Sequence, residues 1–517
     1  MWTCKAALLL AACFWSAQGV RAQSTDPQPM SAIDWLSNSI ANGATPPPVT
    51  GIEPPVAEGV VRRPISVMSI DGPSLDGLGV LTTSATGLPR GLWGATASGD
   101  LARLIRAERV DTLPAIQSLL FTLLLAELNP PLNSDGDGTL FLARIDKLLD
   151  LGALDAAQSM LDQVDTHQAE TFRRLFDVAL LIGQETRACD MMRKTPDIAP
   201  TFPARVFCLA RGGDWNAAAL SLRTGEALGY VSPEMVPLLE RFLDPELGDG
   251  EPDLPVPDRP SPLVLRLMEA IGQPLQTTNM PVAFSQSDLR SNAGWKTRLD
   301  AAERLARTGA IPANRLLGLY TERQAAAAGG IWERVKLVQE IERAIESHDR
   351  AALALLLPAA WAEMSERELE VPFAELFGPA LSALKLNGAA GSLAFRIGLL
   401  SKDYETVANS DVATTREDRF LKALATGDAS SATPPDQMGA AVQAAFLPGI
   451  RPSDDYARLL ADNRLGEALL VTIDRITDGA RGDLRAVTDG LQFLRHIGLE
   501  STARRAALEL VLLERRG

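Results

Sequence analysis

Histidine is scarce in this chain of 517 residues, where it occurs only as His167, His348 and His496. None of the three stands at a metal-binding spacing from another histidine or a cysteine. The chain also has neither a Gly-x-Ser-x-Gly elbow nor a Gly-x-x-x-x-Gly-Lys phosphate loop. We therefore interpret the three histidines as ordinary surface or packing residues, and we predict no catalytic residue, no metal site and no cofactor.

Strand signals and long apolar runs are also few. Alternating blocks of Val, Ile, Thr and Tyr are missing apart from residues 65–70, where a short strand is predicted. The nearly uncharged run at 116–128 has 13 residues, whereas a helix needs about 20 to cross a bilayer. This run predicts a buried helix, and no other segment reaches spanning length.

One short segment is similar to the start of an EF-hand calcium loop. It runs from Asn133 to Gly138, but Arg144 stands where such a loop places its bidentate glutamate. We interpret the segment as a turn that precedes a helix beginning near Thr139.

The first 22 residues have the layout of a secretory signal. Lys5 supplies one positive charge, the run from Ala6 to Trp15 is apolar, and Val20-Arg21-Ala22 favours cleavage after Ala22. Two alternatives remain open. The residues before Cys13 resemble a bacterial lipobox, which would leave a lipid anchor on that cysteine, or the segment is an uncleaved anchor, for which about ten apolar residues are too few.

The chain is acidic, with a formal net charge of −15. Such a balance argues against nonspecific binding to nucleic acid or to anionic lipid, because both require basic surface. Arginine outnumbers lysine by 42 to 8, which is typical of a GC-rich genome. Together with the signal, this predicts a bacterial periplasmic protein, with lipid-anchored or secreted locations as alternatives.

Cysteine use is consistent with export. Cys4 and Cys13 fall in the signal, so the mature chain keeps only Cys189 and Cys208. These flank a proline-containing connection between predicted helices, and an oxidising compartment favours their pairing. The alternative is two buried thiols that behave as small apolar residues.

Residues 23–97 are rich in Pro, Gly, Ser and Thr, which predicts a disordered or extended tether. Two apolar islands interrupt it, and they either dock on a partner protein or pack on the chain's own helices. The candidate docking residues are Ile33, Trp35, Leu36, Ile40, Leu88, Leu92 and Trp93.

Beyond residue 97, apolar residues recur at helical spacing, which predicts an all-α protein. An acidic, proline-dense segment at 244–262 cannot be helical along most of its length. We therefore predict one helical lobe at 98–243, a linker at 244–262 and a second lobe at 263–517.

A helix-turn-helix pattern recurs in both lobes, in which a turn residue is followed five positions later by alanine. The glycine relieves a left-handed turn, and the small alanine lets the second helix approach its neighbour. The copies with a glycine turn are Gly152 with Ala157, Gly183 with Ala188, Gly213 with Ala218, and Gly498 with Ala503. Two further copies are Ser347 with Ala352 and Asn463 with Ala468, and looser copies stand at Gly309 and at Lys402, where Val407 replaces the alanine.

This pattern resembles tetratricopeptide repeats, most clearly at 207–218, which contains Gly213-Asp214-Trp215, and at 401–407. The resemblance covers about 140–240, 300–410 and 455–515, although the period is often not 34 residues and no copy shows the full family pattern. It implies an irregular α-solenoid of helical hairpins whose concave surface binds a peptide or a protein.

The sequence thus predicts an exported helical-repeat scaffold that binds a protein or peptide partner in the cell envelope and has no catalytic activity of its own. The alternative is binding or cleavage of cell-wall glycan by a carboxylate-lined groove, for which Glu346 and the acids at 363, 366, 368 and 370 are candidates. The run from Glu363 to Glu370 is interpreted as the solvated face of a helix. A purely structural role in the envelope is a third possibility.

Overall fold

The computed structural model describes residues 74–134, 136–164, 168–410, 415–449 and 451–513. Within these ranges it contains 25 α-helices and no β-strand, which confirms the predicted all-α class. The predicted signal, Cys13, the predicted strand at 65–70 and the candidate docking residues Ile33, Trp35, Leu36 and Ile40 lie outside the described residues, as does His167.

The helices are numbered in chain order. The first twelve are α1 Thr83–Thr86, α2 Ser98–Ala107, α3 Pro114–Leu125, α4 Thr139–Asp150, α5 Leu154–Leu161, α6 Ala169–Ile182, α7 Glu185–Lys194, α8 Phe202–Arg211, α9 Trp215–Ala227, α10 Val236–Leu243, α11 Pro262–Ala270 and α12 Ser285–Asp288. The remainder are α13 Trp295–Arg307, α14 Ala313–Tyr320, α15 Ile331–Glu346, α16 Arg350–Glu366, α17 Glu370–Ala383, α18 Gly388–Leu399, α19 Tyr404–Ala408, α20 Arg416–Thr426, α21 Gln437–Ala445, α22 Asp454–Ala461, α23 Leu465–Gly479, α24 Leu484–His496 and α25 Glu500–Leu512. Four short 3₁₀ helices lie at Leu75–Gly77, Pro196–Ile198, Pro245–Gly248 and Val282–Phe284.

Successive helices pack against each other along the chain, and the array then closes on itself. The last helix, α25, packs against α3, while α23 packs against both α2 and α3. A second contact between distant segments is the hydrogen bond that the Thr308 hydroxyl donates to the carbonyl oxygen of Leu151, at 2.8 Å. Residues of the two predicted lobes are therefore in direct contact at several places, not only through the segment that joins them.

The helix at the centre of this closed array is α3, the uncharged helix that the sequence predicted to be buried. Ten of its twelve residues are buried, so it is apolar on all sides, as a helix in the interior of a protein must be. It contacts α4, α23 and α25. Only a crevice of about 30 Å³ separates it from the α13–α14 turn and from the start of α17. Helix α3 is therefore enclosed by helices from both ends of the chain.

Two buried charges satisfy the ends of α3. At its N-terminus, both carboxylate oxygens of Glu509 accept a hydrogen bond from the backbone N–H of Ala115, at 2.8 and 3.1 Å. At its C-terminus, the guanidinium of Arg144 donates to the carbonyl oxygens of Leu124 and Ala126, at 2.7 and 2.8 Å. A negative charge at the start of a helix and a positive charge at its end both complement the helix dipole.

Burial lowers the pKa of Arg144 to about 10, while the nearby Asp76 acts in the opposite direction. Arg144 also donates to the carbonyl oxygen of Leu78, at 2.6 Å. The residue that disqualified an EF-hand loop in the sequence thus has a structural role, because it joins the N-terminal segment to the end of α3.

The N-terminal segment is bound to the C-terminal helices through its backbone. The N–H of Ala95 donates to the carbonyl oxygen of Asn463, and the N–H of Gly466 donates to the carbonyl oxygen of Leu92, at 2.9 and 2.8 Å. The approach requires glycine at position 466, because a Cβ there would lie 2.6 Å from the indole ring of Trp93. We call the contact of 74–134 with α22–α25 the seam.

The seam corrects two predictions. The described part of the predicted tether, residues 74–97, packs on the helices instead of extending away from them. Leu88, Leu92 and Trp93 are core residues and cannot dock on a partner protein, because burial of their large apolar side chains holds the segment in place. The alternative that this island packs on the chain's own helices is the one the structure supports.

The predicted turn residues lie between successive helices. Gly152, Gly183, Gly213 and Gly498 all have positive φ, and the alanines five positions later, Ala157, Ala188, Ala218 and Ala503, are fully buried. Asn463 also has positive φ. At the fifth copy the left-handed residue is His348 rather than Ser347, so the pattern there is displaced by one position.

The acidic run from Glu363 to Glu370 is not one solvated helix face, as the sequence suggested. Helix α16 ends at Glu366 and α17 begins at Glu370, with Glu368 in a left-handed turn between them. Glu370 is buried. The carboxylates therefore point to different environments and do not form a common groove.

Candidate functional site: the arm

One part of the chain leaves the closed array and returns to it. Helix α11 packs against α6, so the residues between them form an excursion, and we call residues 185–261 the arm. Its base is tied by Glu185, whose buried carboxylate accepts hydrogen bonds from Arg211 of α8 and Arg266 of α11, at 3.0 and 2.8 Å. The two ends of the arm are thereby held together.

A disulfide joins two helices of the arm. Cys189 of α7 and Cys208 of α8 are bonded, with their Cα atoms 5.0 Å apart. The bridge links the two helices that flank the proline-containing connection, at the two cysteines that the sequence proposed as a pair. In the chain-entropy model, closing so short a loop contributes about 3 kcal/mol.

A pocket of about 350 Å³ opens beside this disulfide. Its apolar wall includes Met192, Leu209 and the two bonded cysteines, while the guanidinium groups of Arg193 and Arg205 provide positive charge. Arg193 forms an ion pair with Asp190, whereas Arg205 is exposed and makes no ion pair with any described residue. We call this cavity the disulfide pocket. Asp214 also lines the pocket, and its carboxylate accepts a hydrogen bond from the backbone N–H of Ala217 at 3.1 Å. Because Arg205 has no such partner among the described residues, the pocket suits an apolar group that carries a negative charge nearby.

The arm also carries most of the large hydrophobic side chains that are exposed in the described part of the chain. Of the nine large hydrophobic side chains that are exposed in the described part of the chain, six lie between 215 and 256. These six are Trp215, Leu220, Leu228, Tyr230, Leu247 and Val256. Concentrated exposure of this kind marks interaction surfaces, whereas isolated exposed residues need no explanation.

Aromatic stacking holds part of this surface in a fixed position. The exposed ring of Tyr230 stacks on Phe202, with ring centroids 5.2 Å apart. Trp215 lies 6.3 Å from Phe242 in a tilted arrangement. Both aromatic side chains are therefore placed before any partner arrives, which lowers the entropy cost of binding.

The last part of the arm is the acidic, proline-rich segment, which is ordered in the structure. Arg241 donates to the carbonyl oxygen of Pro252 at 3.0 Å. The backbone N–H of Leu254 donates to the side-chain oxygen of Gln273 at 3.1 Å. The side chains of Leu247, which precedes these two contacts in the chain, and Val256, which follows them, are 51% and 68% exposed. The segment thus presents single apolar side chains among carboxylates.

Two other depressions were candidates for the alternative, a carboxylate-lined groove. A cleft of about 280 Å³ lies at the seam, near the start of α3. Its two carboxylates face arginines, with Asp111 2.6 Å from Arg481 and Glu368 3.9 Å from Arg307. Each acid there is charge-compensated, whereas glycoside hydrolysis usually requires one protonated and one ionised acid.

The other depression is an open acidic groove of about 470 Å³ beside α22, α23 and α24. Asp483 caps α24 by accepting from the N–H groups of Arg485 and Ala486. Asp455 pairs with Arg458 and Arg475, and these hydrogen bonds lower its pKa. These two acids therefore stabilise local structure. Across the described ranges, no group of His, Cys, Asp and Glu side chains is arranged to hold a metal ion.

The carboxyl group with the largest upward pKa shift lies outside both depressions. Glu108, at the C-terminal end of α2, is buried, and its Oε2 atom has no hydrogen-bond partner. Burial is the main cause that raises its pKa from 4.5 to about 8; Asp474 of α23 adds to the effect, and Lys147 of α4 opposes it. The folded state therefore holds this proton more tightly than the unfolded state does. The stabilisation that the protonated Glu108 contributes is fully present below about pH 4.5 and is lost as the pH rises through about 8.

Sequence reasoning proposed the pair Cys189 and Cys208 and noted Trp215 only as part of a repeat-like turn, but it did not find the exposed apolar side chains of the arm. The exposed apolar residues of the arm are spaced like ordinary helix residues, so nothing in the sequence separates them from core positions. A usable signal was the coincidence of the cysteine pair with the adjacent acidic, proline-rich segment, since both belong to the same excursion.

No helix in the part of the chain that the structure describes is long and apolar enough to cross a membrane. Comparisons of the chain with known protein families, with curated proteins and with solved structures find no match.

Proposed function

We propose that this protein is an exported scaffold of helical hairpins, similar to tetratricopeptide repeats, which binds a protein or peptide partner in the cell envelope. The observation that carries the proposal is the concentration of exposed apolar side chains on a disulfide-bonded arm. The same arm contains a pocket large enough for a side chain, and binding to a surface of this kind needs no catalytic group.

The position of the binding surface differs from what a repeat protein would suggest. In an open array the partner would enter the concave side, but here the ends of the array are in contact, and the buried helix α3 lies between them with charged partners at both of its ends. A partner therefore binds outside the array, and the arm offers most of the exposed large hydrophobic side chains in the described residues.

Export supports the same proposal from a different direction. The sequence has the layout of a secretory signal, and the only described cysteine pair is oxidised, as an extracytoplasmic compartment would permit. Sequencing the N-terminus of the protein recovered from a periplasmic fraction tests this part. Gln23 as the first residue supports export and cleavage, a lipid-modified Cys13 supports the anchored alternative, and an intact Met1 in the cytoplasm contradicts export.

Site-specific photocrosslinking tests the binding surface. A photoreactive residue replaces Leu220 of the arm in one variant and Leu355 of α16 in a control, since Leu355 is 81% exposed but lies outside the arm. We expect one protein partner to be crosslinked in living cells from position 220 and not from position 355. Equal labelling from both positions would contradict the proposal. Bound glycan fragments with no protein would also contradict it and would favour the cell-wall alternative.

A further inference from the structure

The disulfide pocket and the acidic, proline-rich segment of the arm carry opposite charges, because Arg205 lines the pocket and the segment is rich in carboxylates. We propose that the disulfide pocket of one chain receives segment 244–262 of a second copy, so that two arms pair in a symmetric dimer. This inference rests on the proposed function in one respect, namely that the arm is a docking surface.

The pocket selects for an anionic ligand with an apolar group. Met192 and Leu209 line its wall, and Arg205 stands at it without an ion-pair partner among the described residues. An unpaired guanidinium beside an apolar cavity favours a carboxylate next to an aliphatic side chain, because both can be satisfied at once.

Segment 244–262 has this chemistry. Between residues 244 and 258 it contains six acidic residues and no basic one. Its prolines prevent an α-helix along most of its length. The exposed side chain of Leu247 projects from the short 3₁₀ helix Pro245–Gly248, and that of Val256 from the stretch between Pro255 and Pro257. A backbone restricted by proline loses little conformational freedom when it binds.

The segment does not fill the pocket of its own chain. Arg241 and Gln273 hold it at Pro252 and Leu254, and none of the residues that line the disulfide pocket belongs to it. Pocket and ligand are thus both present and both unoccupied on one arm. A twofold axis brings each pocket to the other chain's segment, and the contact then occurs twice.

The charge distribution along the arm agrees with this pairing. Residues 185–223 carry six basic and four acidic side chains, although the whole chain has a net charge of −15. Residues 226–258 carry nine acidic side chains and one basic one. Four of the six basic side chains pair with acids of the same chain, namely Arg187, Arg193, Arg211 and Arg223. An antiparallel arrangement of two arms places the remaining two, Lys194 and Arg205, opposite the acidic half of the other arm, which favours this orientation.

Sedimentation velocity of the oxidised mature chain tests the inference. The protein is measured at about 1 to 100 µM, the range that a dimer of moderate affinity requires. We expect a dimer for the wild type. Arg205→Glu should weaken the dimer at least about tenfold, and so should the double change Glu251→Arg with Asp253→Arg. Combining all three changes in one chain should restore the dimer, because the opposite charges again face each other.

Two controls separate this contact from general effects. Arg103→Glu changes another exposed arginine far from the arm in sequence, and Leu355→Asp changes an exposed leucine of α16. Both should leave the dimer intact. Circular dichroism of each variant shows whether it is folded. The inference is overturned if the wild type remains monomeric at about 100 µM, the upper limit for a specific dimer of this kind. It is also overturned if Arg205→Glu does not weaken the dimer.

The same variants distinguish the inference from the proposed function. A monomeric wild type that still crosslinks a different protein from position 220 overturns the dimer and leaves the scaffold function in place. A dimer with the expected charge dependence and no crosslink to any other protein leaves the dimer and removes the scaffold function.

Discussion

Replacing Arg144 by methionine should destabilise the protein by about 3–5 kcal/mol, because it removes buried hydrogen bonds and leaves their acceptors without partners. Arg144 is fully buried. Its guanidinium donates to the carbonyl oxygens of Leu124, Leu78 and Ala126 at 2.7, 2.6 and 2.8 Å. Methionine fills a similar volume but can donate to none of them.

The magnitude follows from two opposing effects. Each carbonyl oxygen left unsatisfied in the interior costs about 1–3 kcal/mol. Against this, the folded protein no longer keeps a cation away from water, a cost that is visible in the lowered pKa of Arg144. Because three acceptors lose their donor together, we expect the first effect to win.

Urea denaturation followed by circular dichroism measures the change. Arg103→Met is the matched control, since the side chain of Arg103 is 69% exposed and pairs only with an exposed aspartate; its effect should stay within about 0.5 kcal/mol. Arg144→Lys should fall between the two, because lysine keeps the charge but cannot replace the guanidinium fork. A loss below about 1 kcal/mol for Arg144→Met would refute the role assigned to Arg144 at the end of α3.

Three further perturbations test other parts of the structure. Glu108→Gln should remove a pH dependence of the free energy of unfolding. At pH 8 the variant should be more stable than the wild type by as much as about 4 kcal/mol, and near pH 5 the two should have similar stability. Urea denaturation at the two pH values measures this difference. Cys189→Ser should lower the free energy of unfolding by about 3 kcal/mol under oxidising conditions, and should make no difference once the wild type is reduced. Gly466→Ala should destabilise the protein by about 2–3 kcal/mol in thermal melts, because the added Cβ meets the ring of Trp93 at the seam. Gly99→Ala is the control, since a Cβ there has open space, and its effect in the same measurement should stay within about 0.5 kcal/mol.

Local features of the fold could be predicted from the sequence because they depend on nearby residues. The buried helix at α3 follows from an uncharged run that is too short for a membrane, and the turns at Gly152, Gly183 and Gly213 follow from the need for positive φ. The cysteine pair followed from compartment and spacing. For the buried helix and the turns, the cause lies within the same short stretch of sequence as its effect.

The closure of the array could not be predicted in the same way. It depends on contacts such as those of Glu509 with Ala115 and of Gly466 with Leu92, which join residues several hundred positions apart. Glycine and proline content suggested an extended segment before residue 98, but a few large apolar side chains were enough to hold 74–97 on the core. The arm escaped prediction for a similar reason, because its exposed leucines differ from buried ones only in what the rest of the fold places next to them.

A cysteine crosslink across the seam tests the closed array most directly. The hydroxyl oxygens of Thr112 and Thr477 lie 2.6 Å apart, although the two residues are far apart in the sequence. In a variant with Thr112→Cys and Thr477→Cys, purified without reductant, we expect peptide mapping to show a disulfide between positions 112 and 477 beside the native bond of Cys189 with Cys208. Free thiols at 112 and 477 in a folded protein would contradict the closed array, and would reopen its interior as a place where a partner could bind.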